Sequence, residues 1–260
     1  MTGANDADFR DVISTVVKRR PFLDRLADGP TAKRDLRDEL DVSRSTVYKA
    51  VRELEEQGLV AETDGGVRLT LVGRLLADEY RTFETHAAGI HDCAGLLSVL
   101  PADAPVTVDP VLGAETVLAE RHAPTRPVEY IEDLVRSADR VVGASPVVLA
   151  QYVDVFHEAI VSGGLTADLV LEAPVVEYMR EDHADRLGEA LDTGRLTIHQ
   201  TDETLPFGFV ASEEEGLVLI VYDESGELRG VLLNDAREAV DWGESTFRAF
   251  REGAEGPRLG

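Results

Sequence analysis

Lysine is nearly missing from this chain. Of 26 basic residues only Lys18, Lys33 and Lys49 are lysines, against 50 acidic ones. No lysine follows Lys49, which excludes from the remaining sequence a His-x-Lys phosphodiesterase motif, a Walker A lysine and a Schiff-base lysine. Gly-x-Ser-x-Gly is missing too, so no nucleophile elbow is expected. The single cysteine, Cys93, excludes an intramolecular disulfide and a cysteine-rich zinc site, and fits a reducing compartment. No run approaches the roughly 18 apolar residues of a membrane span, and the polar start Met1-Thr2-Gly3-Ala4-Asn5-Asp6 is not a leader. These absences predict a cytoplasmic protein that is not an enzyme, with no cofactor, no metal and no membrane partner.

What is present is acid, unevenly spread. The net charge is −24; residues 1–85 carry −3 of it and the rest −21. An acid-rich, lysine-poor surface is that of a halophile, kept soluble in molar salt by its own charge. There the Debye length falls to about 3 Å, so contact-range hydrogen bonds carry recognition that long-range attraction supplies elsewhere. All three lysines lie in the first 50 residues, which is expected if this part of the chain escaped a general replacement of lysine, although chance placement of so few residues gives the same pattern.

Within that part, Ser43-Arg44-Ser45-Thr46-Val47-Tyr48-Lys49-Ala50-Val51-Arg52-Glu53-Leu54 places Val47, Val51 and Leu54 at i, i+4 and i+7, one buried stripe of a helix. Ser43 is an N-cap and Gly58 a C-terminal stop. The stripe leaves Arg44, Ser45, Tyr48, Lys49 and Arg52 facing outward, all able to donate to phosphates or base edges, with acid beginning only at Glu53. An ordinary amphipathic helix with solvated charges would show the same stripe. What argues against it is the context: a second short helix over Thr31–Leu40, with Thr31 as its cap, joins through Asp41-Val42. After Gly58, two extended runs flank Asp64-Gly65-Gly66, a hairpin signal. Residues 8–26 supply a supporting first helix, broken or restarted at Pro21.

Helix, helix and hairpin in that order resemble the winged helix-turn-helix domains of prokaryotic transcriptional regulators, over about the first third of the chain. The resemblance implies double-stranded DNA as partner, contacted by Ser43, Arg44, Ser45, Thr46, Tyr48, Lys49 and Arg52 in the major groove and by Arg68 from the wing. Domain boundaries are expected at 1–70 for this part, 71–100 for a linking helix and 101–260 for an α/β domain.

From Leu71 to Leu97 no proline interrupts what reads as one long helix. Leu76, Phe83, Ile90 and Leu97 recur every seven residues, the spacing of a seam with a partner helix. The expectation is a homodimer paired through this helix; the alternative is packing against the chain's own second domain.

Beyond Pro101 and Pro105 strands and helices alternate: strands at 141–146, 167–172, 196–199, 208–211, 217–223 and 228–233, helices at 130–138, 147–162, 175–191 and 245–251. The fold class is therefore α+β with an α/β C-terminal part. The tail LPFGFVASEEEGLVLIVYDESGELRGVLLNDAREAVDWGESTFRAF resembles archaeal winged-helix regulators of the methanogenesis-regulator type, akin to TrmB-like regulators. That resemblance implies a C-terminal domain of phospholipase D-like shape, without its catalytic motif, acting as an effector or interaction module.

Open α/β sheets bind ligands at strand ends, which makes Ser145, Glu172 and Thr201 the candidate residues for a small-molecule effector, although each also suits an ordinary turn. Trp242 is expected in the core. Asp182-His183-Ala184-Asp185 has the residue types of a metal site but better fits a solvated acidic face, and Cys93 beside His91 better fits a core thiol than a redox sensor. Two other function classes remain open at this point: an enzyme working through carboxylates and histidines at a strand edge, and a protein-interaction module that uses the winged helix for assembly.

Overall fold

The structure is a computed structural model describing residues 3–254 and 258–259; Met1 and Thr2, where the polar start begins, lie outside the described residues. The chain divides into two compact units, residues 1–85 and 86–260.

The first unit is built of α1 (Gly3–Ala27), α2 (Lys33–Glu39), α3 (Arg44–Glu56), the hairpin β1 (Val60–Thr63) and β2 (Gly66–Leu69), and the start of α4 (Leu71–Asp92). Its core joins Val16, Leu23 and Leu26 of α1 and Leu36 of α2 to Val47, Val51 and Leu54, the α3 stripe, and to Leu59 and Val67. Ser43 caps α3, accepting from the Thr46 N–H at 3.1 Å, and Gly58 stops it at φ +70°, a conformation that costs glycine nothing. Asp41, at φ 48°, turns α2 into α3; aspartate is among the few residues with a side chain that tolerate this region.

Two sequence expectations fail here. Pro21 does not break α1, which runs through it. Thr31 does not cap α2: the cap position is Ala32, with no side-chain bond. Thr31 instead exchanges two backbone hydrogen bonds with Val67, both 2.9 Å, adding a third short extended segment to the hairpin.

The long helix is also shorter than its sequence pattern predicts. It ends at Asp92, and a separate short helix, α5 (Ala94–Leu97), follows the turn at Cys93. Cys93 is buried and its thiol lies 3.8 Å from the Val111 carbonyl, so the chain bends where a side chain of the second unit's core is drawn inward.

The second unit is a three-layer α/β/α body. Its mixed sheet runs β10-β6-β5-β4-β7-β8-β9-β3, with β3 at Glu115–Leu118, β4 at Arg140–Ser145, β5 at Thr166–Glu172, β6 at Leu196–Thr201, β7 at Gly208–Ser212, β8 at Gly216–Tyr222, β9 at Leu228–Asn234 and β10 at Arg258–Leu259. Strands β4, β5 and β6 are parallel; the remainder pair antiparallel. On one face pack α6 (Arg126–Ser137), α7 (Ala150–Glu158), α8 (Ala173–Asp182) and α9 (Ala184–Asp192), over Val141, Ala167, Leu171, Leu196 and Ile198. On the other lie α5 and α10 (Arg237–Gly253), over Val142, Ala144, Val170 and Phe209. Trp242 packs there as expected, 5.8 Å from the Phe207 ring and 7 % exposed.

The single helix expected over 175–191 is two, parted at His183. That expected over 147–162 is α7 followed by one π-helical turn, Ala159–Gly163. The last helix begins eight residues before its expected start, at Arg237. Strand β3 had no counterpart in the sequence reading.

Candidate nucleic-acid interface

The outer face of α3 is set by its inner one. Because Val47, Ala50, Val51 and Leu54 are buried, Arg44, Ser45, Tyr48, Lys49 and Arg52 are exposed. Arg44 and Lys49 have no carboxylate partner among the described residues. Arg68, on the outward side of β2 opposite Ala61, has none either.

The Tyr48 ring is approached by two cations. The Lys33 ammonium of α2 lies 4.9 Å from its centroid and the Arg44 guanidinium 5.4 Å, a cation–π arrangement worth about 0.5–1 kcal/mol at an exposed site. Arg44, and more weakly Lys33, hold the phenol below its ordinary pKa. Lys33 also pairs with Glu62 of β1, tying α2, α3 and the hairpin into one surface. The sequence reading did not single out Lys33, because only the fold brings α2 over Tyr48.

Four other expected contacts are partly occupied. Ser43 Oγ, besides capping, lies 2.9 Å from Ser45 Oγ and 2.8 Å from Thr46 Oγ1, so this trio of hydroxyls first serves the helix start. Arg52 is 80 % exposed but bonded to Glu56 at 2.8 Å. The freest donors are therefore Arg44, Lys49 and Arg68.

Orientation of α3 depends on Glu53. Its carboxylate accepts from Arg19 at 2.8 Å and from Lys18 at 3.2 Å, both on α1. Arg19, followed by Lys18, pulls the Glu53 pKa from 4.5 to about 2. The folded state thus binds this proton more weakly than the unfolded chain, so the stabilisation is complete above about pH 4.5 and is lost as pH falls towards 2. With the glutamate 26 % exposed, screening leaves about 1–2 kcal/mol of the shift as stability. In circular dichroism melts Glu53→Gln should be less stable than the wild type by that amount at neutral pH, and the difference should close as pH falls towards 2, since other depressed carboxylates such as Asp223 act on both proteins alike. An unchanged slope in the variant would assign the acid lability elsewhere.

The expected effector residues fall into two places. Ser145, Leu171 and Gln200 stand side by side at the ends of β4, β5 and β6, on the face covered by α6–α9. Glu172 and Thr201 are register partners on the opposite, α10 face. Each is used locally: Ser145 donates to the Val147 carbonyl at 2.6 Å, Glu172 accepts from the Leu205 N–H at 2.7 Å, and Thr201 accepts from the Glu203 N–H at 3.1 Å. The three do not converge on one site, because alternation along a strand sends neighbouring positions to opposite faces.

The seven-residue row on the linking helix is likewise split. Leu76 packs into the first unit's core and Leu97 into the second's, while Phe83 and Ile90 are 63 % and 44 % exposed. Among the described residues no cluster of three or more histidine, cysteine, aspartate or glutamate side chains is placed to hold a metal ion, and no helix is long and apolar enough to cross a membrane. Asp182 and Asp185 flank a His183 that packs edge-on to Tyr178 at 5.3 Å.

Residues 124–253, half of the chain, match the middle domain of the methanogenesis regulatory protein FilR1. The chain belongs to that family, in agreement with the resemblance read from its C-terminal sequence. Residues 7–89 match the HVO_A0261 N-terminal domain. No curated protein matches. Among solved structures, TrmBL2, described as an archaeal chromatin protein with a novel mode of DNA binding, is 14 % identical over 90 % of this chain and 91 % of its own, with a TM-score of 0.43. The riboflavin-analogue dimethyltransferase RosA of Streptomyces davawensis is 16 % identical over 78 % and 68 %, TM-score 0.28, and the calicheamicin methyltransferase CalO1 is 19 % identical over 78 % and 67 %, TM-score 0.24. At such TM-scores none of the three defines the fold or the chemistry of this chain.

Proposed function

We propose that the protein is a sequence-specific, double-stranded-DNA-binding transcriptional regulator, with residues 1–70 as a winged helix-turn-helix, residues 71–100 as linker and residues 101–260 as a regulatory domain that binds a small effector. The observation that carries this reading is the outward face of α3, where Arg44 and Lys49 stand without carboxylate partners among the described residues beside Tyr48, itself approached by Lys33 and Arg44, in a chain of net charge −24. Family membership supports the regulatory role, and the TrmB-like resemblance points to archaeal promoters. In this reading α3 enters the major groove with its first two turns and Arg68 meets the backbone from the wing. The regulatory domain in this reading serves as a binding scaffold, and its lack of lysine removes the lysine-dependent chemistries alone.

The regulator acts as a homodimer. Phe9, Val17 and Phe83 are 62 %, 48 % and 63 % exposed, apolar side chains that a partner subunit would cover, and pairing of α4 across a two-fold axis would set the distance between two α3 helices. Phe83→Glu with Ile90→Glu should leave the monomer folded, since both side chains are already solvent-exposed, but weaken dimerisation by about 2 kcal/mol or more, roughly thirtyfold, by burying unpaired charge. Sedimentation velocity in molar potassium chloride measures this. A variant that remains dimeric assigns the seam to other residues, and a wild type that is monomeric at working concentrations removes the dimer.

The experiment that tests the function is fluorescence anisotropy of the intact protein with promoter fragments from its own genome at several potassium chloride concentrations. Saturable binding to some fragments, at least a thousandfold tighter than to scrambled DNA, is the expected outcome; equal affinity for all fragments would contradict sequence-specific regulation.

A further inference from the structure

The expected effector residues do not form a pocket, but a cavity does exist beside one of them. It lies between the sheet and α7–α9, encloses about 90 Å³ and is walled by Tyr152, Val153 and Phe156 of α7, Leu169 and Leu171 of β5 and Ile198 of β6. Its lining is almost wholly apolar. The charged side chains that reach it, His157 and Arg186, are each paired, to Glu189 at 2.7 Å and to Asp154 at 2.5 Å, which knits α7 to α9 and leaves no free charge to recognise an ion.

One polar feature breaks the apolar wall. The Tyr222 hydroxyl donates to the Tyr152 hydroxyl at 3.3 Å, and the Ser145 hydroxyl is donated to the Val147 carbonyl at 2.6 Å. The Tyr152 proton has no acceptor among the described residues. Burial raises the pKa of both tyrosines, so both remain neutral donors. A buried hydroxyl whose proton is unplaced is unfavourable, and the wall continues in Met179, a side chain that adapts its shape. α7 ends in a π-helical turn, Ala159–Gly163, a local irregularity often found at functional sites.

We propose that this cavity is the effector site of the regulatory domain, and that it takes a small uncharged compound with a short branched apolar body and one hydroxyl or carbonyl group, which accepts the Tyr152 proton. The volume sets the size. An engineered cavity of about 150 Å³ accommodates benzene, so 90 Å³ admits about four or five heavy atoms without rearrangement. The apolar walls exclude carboxylates and amines, since neither His157 nor Arg186 is free to pair with them. The inference rests on the reading of the second unit as an effector-binding module.

The test is an NMR titration of the intact, nitrogen-15-labelled protein with isobutanol and with isobutyrate, which share a body and differ in charge. Isobutanol should shift amides of β4, β5 and α7 saturably, at least tenfold more tightly than isobutyrate. Tyr152→Phe should weaken isobutanol by roughly three- to tenfold, and Val153→Phe, which fills the space, should abolish saturable shifts. Equal behaviour of the two compounds, or an isobutanol affinity within twofold of wild type in Tyr152→Phe, would overturn the proposal, and these two comparisons decide it even if Val153→Phe does not fold. DNA binding measured on the same samples separates the two readings. Specific DNA binding without saturable shifts overturns the pocket alone, whereas saturable shifts without specific DNA binding overturn the regulator.

Discussion

Replacing Arg44 and Lys49 together by alanine is expected to weaken binding to a cognate promoter by about 2–4 kcal/mol, roughly 30- to 1000-fold, while lowering the melting temperature only by the small amount that the exposed Arg44–Tyr48 contact contributes. A base-edge or phosphate contact from such a side chain is typically worth about 1–3 kcal/mol. Neither residue has a carboxylate partner among the described residues and both are exposed, so their loss removes nothing from the core. Arg52→Ala should cost less, because Arg52 already shares its charge with Glu56 at 2.8 Å. The salt dependence sorts the contributions: loss of a phosphate contact lowers the slope of log affinity against log salt by about one, while loss of a base contact lowers specificity and leaves the slope. Equal affinity of the double variant and the wild type would remove α3 from the interface.

Gly73→Ala is expected to be strongly destabilising to the first unit. Gly73 is buried in the first turn of α4, and a Cβ at this position would sit 1.9 Å from the Leu59 carbonyl oxygen, with the backbone of Leu59 itself the obstacle. No rotamer change relieves a clash with main chain. The same turn is fixed by Thr70, whose hydroxyl donates to the Gly58 carbonyl at 2.7 Å and accepts from the Gly73 N–H at 3.0 Å. Moving α4 away to make room breaks this cap and reopens the junction where α3 stops and β1 begins. A cost of about 3 kcal/mol or more is expected, at the upper end for added core volume, seen as a fall in melting temperature and a loss of DNA binding despite an untouched recognition face. Gly95→Ala, where no atom lies within 4 Å of the added methyl, is the control and should be close to neutral.

That contrast shows how far the sequence alone carries. In sequence the glycines at 73 and 95 are alike, both inside the stretch that reads as one long helix, and only packing separates a site of main-chain contact from open space. Helix α3 was legible because its stripe, its cap and its stop are all local: Val47, Val51 and Leu54 report burial, Ser43 the start and Gly58 the end. The hairpin and the buried strands β4–β9 were legible for the same reason, through apolar runs bounded by Glu215-Gly216 and Ser225-Gly226. The start of α10 was hidden because its first turn, Arg237-Glu238, is polar and its cap, Ala236, makes no side-chain bond. The breaks at Cys93 and His183 were hidden because each follows from what the preceding helix packs against. Strand β3 was missed because Glu115–Leu118 is short and is held by its pairing with β9, more than a hundred residues away.

For the sites the division is sharper. An outward face built on one helix can be read from that helix, and the exposure of Arg44, Tyr48 and Lys49 followed from the α3 stripe in this way. Lys33, contributed by α2, was not legible there. The cavity proposed as effector site was invisible for the same reason on a larger scale, since its walls come from elements spread between Ile131 and Ile220 and its polar feature joins Tyr152 to Tyr222. Reasoning from strand ends reached Ser145 at its edge, but placed Glu172 and Thr201, which face the other side of the sheet, in the same group.

The central claim is that this chain occupies defined genomic sites through the outer face of α3. Crosslinking followed by genome-wide sequencing, comparing the wild-type protein with the Arg44→Ala, Lys49→Ala variant expressed at the same level in the native host, measures this most directly. Reproducible peaks at a limited set of promoters for the wild type, lost in the variant, are the predicted result. Uniform or absent occupancy by the wild type, or the same peaks in both, would contradict it.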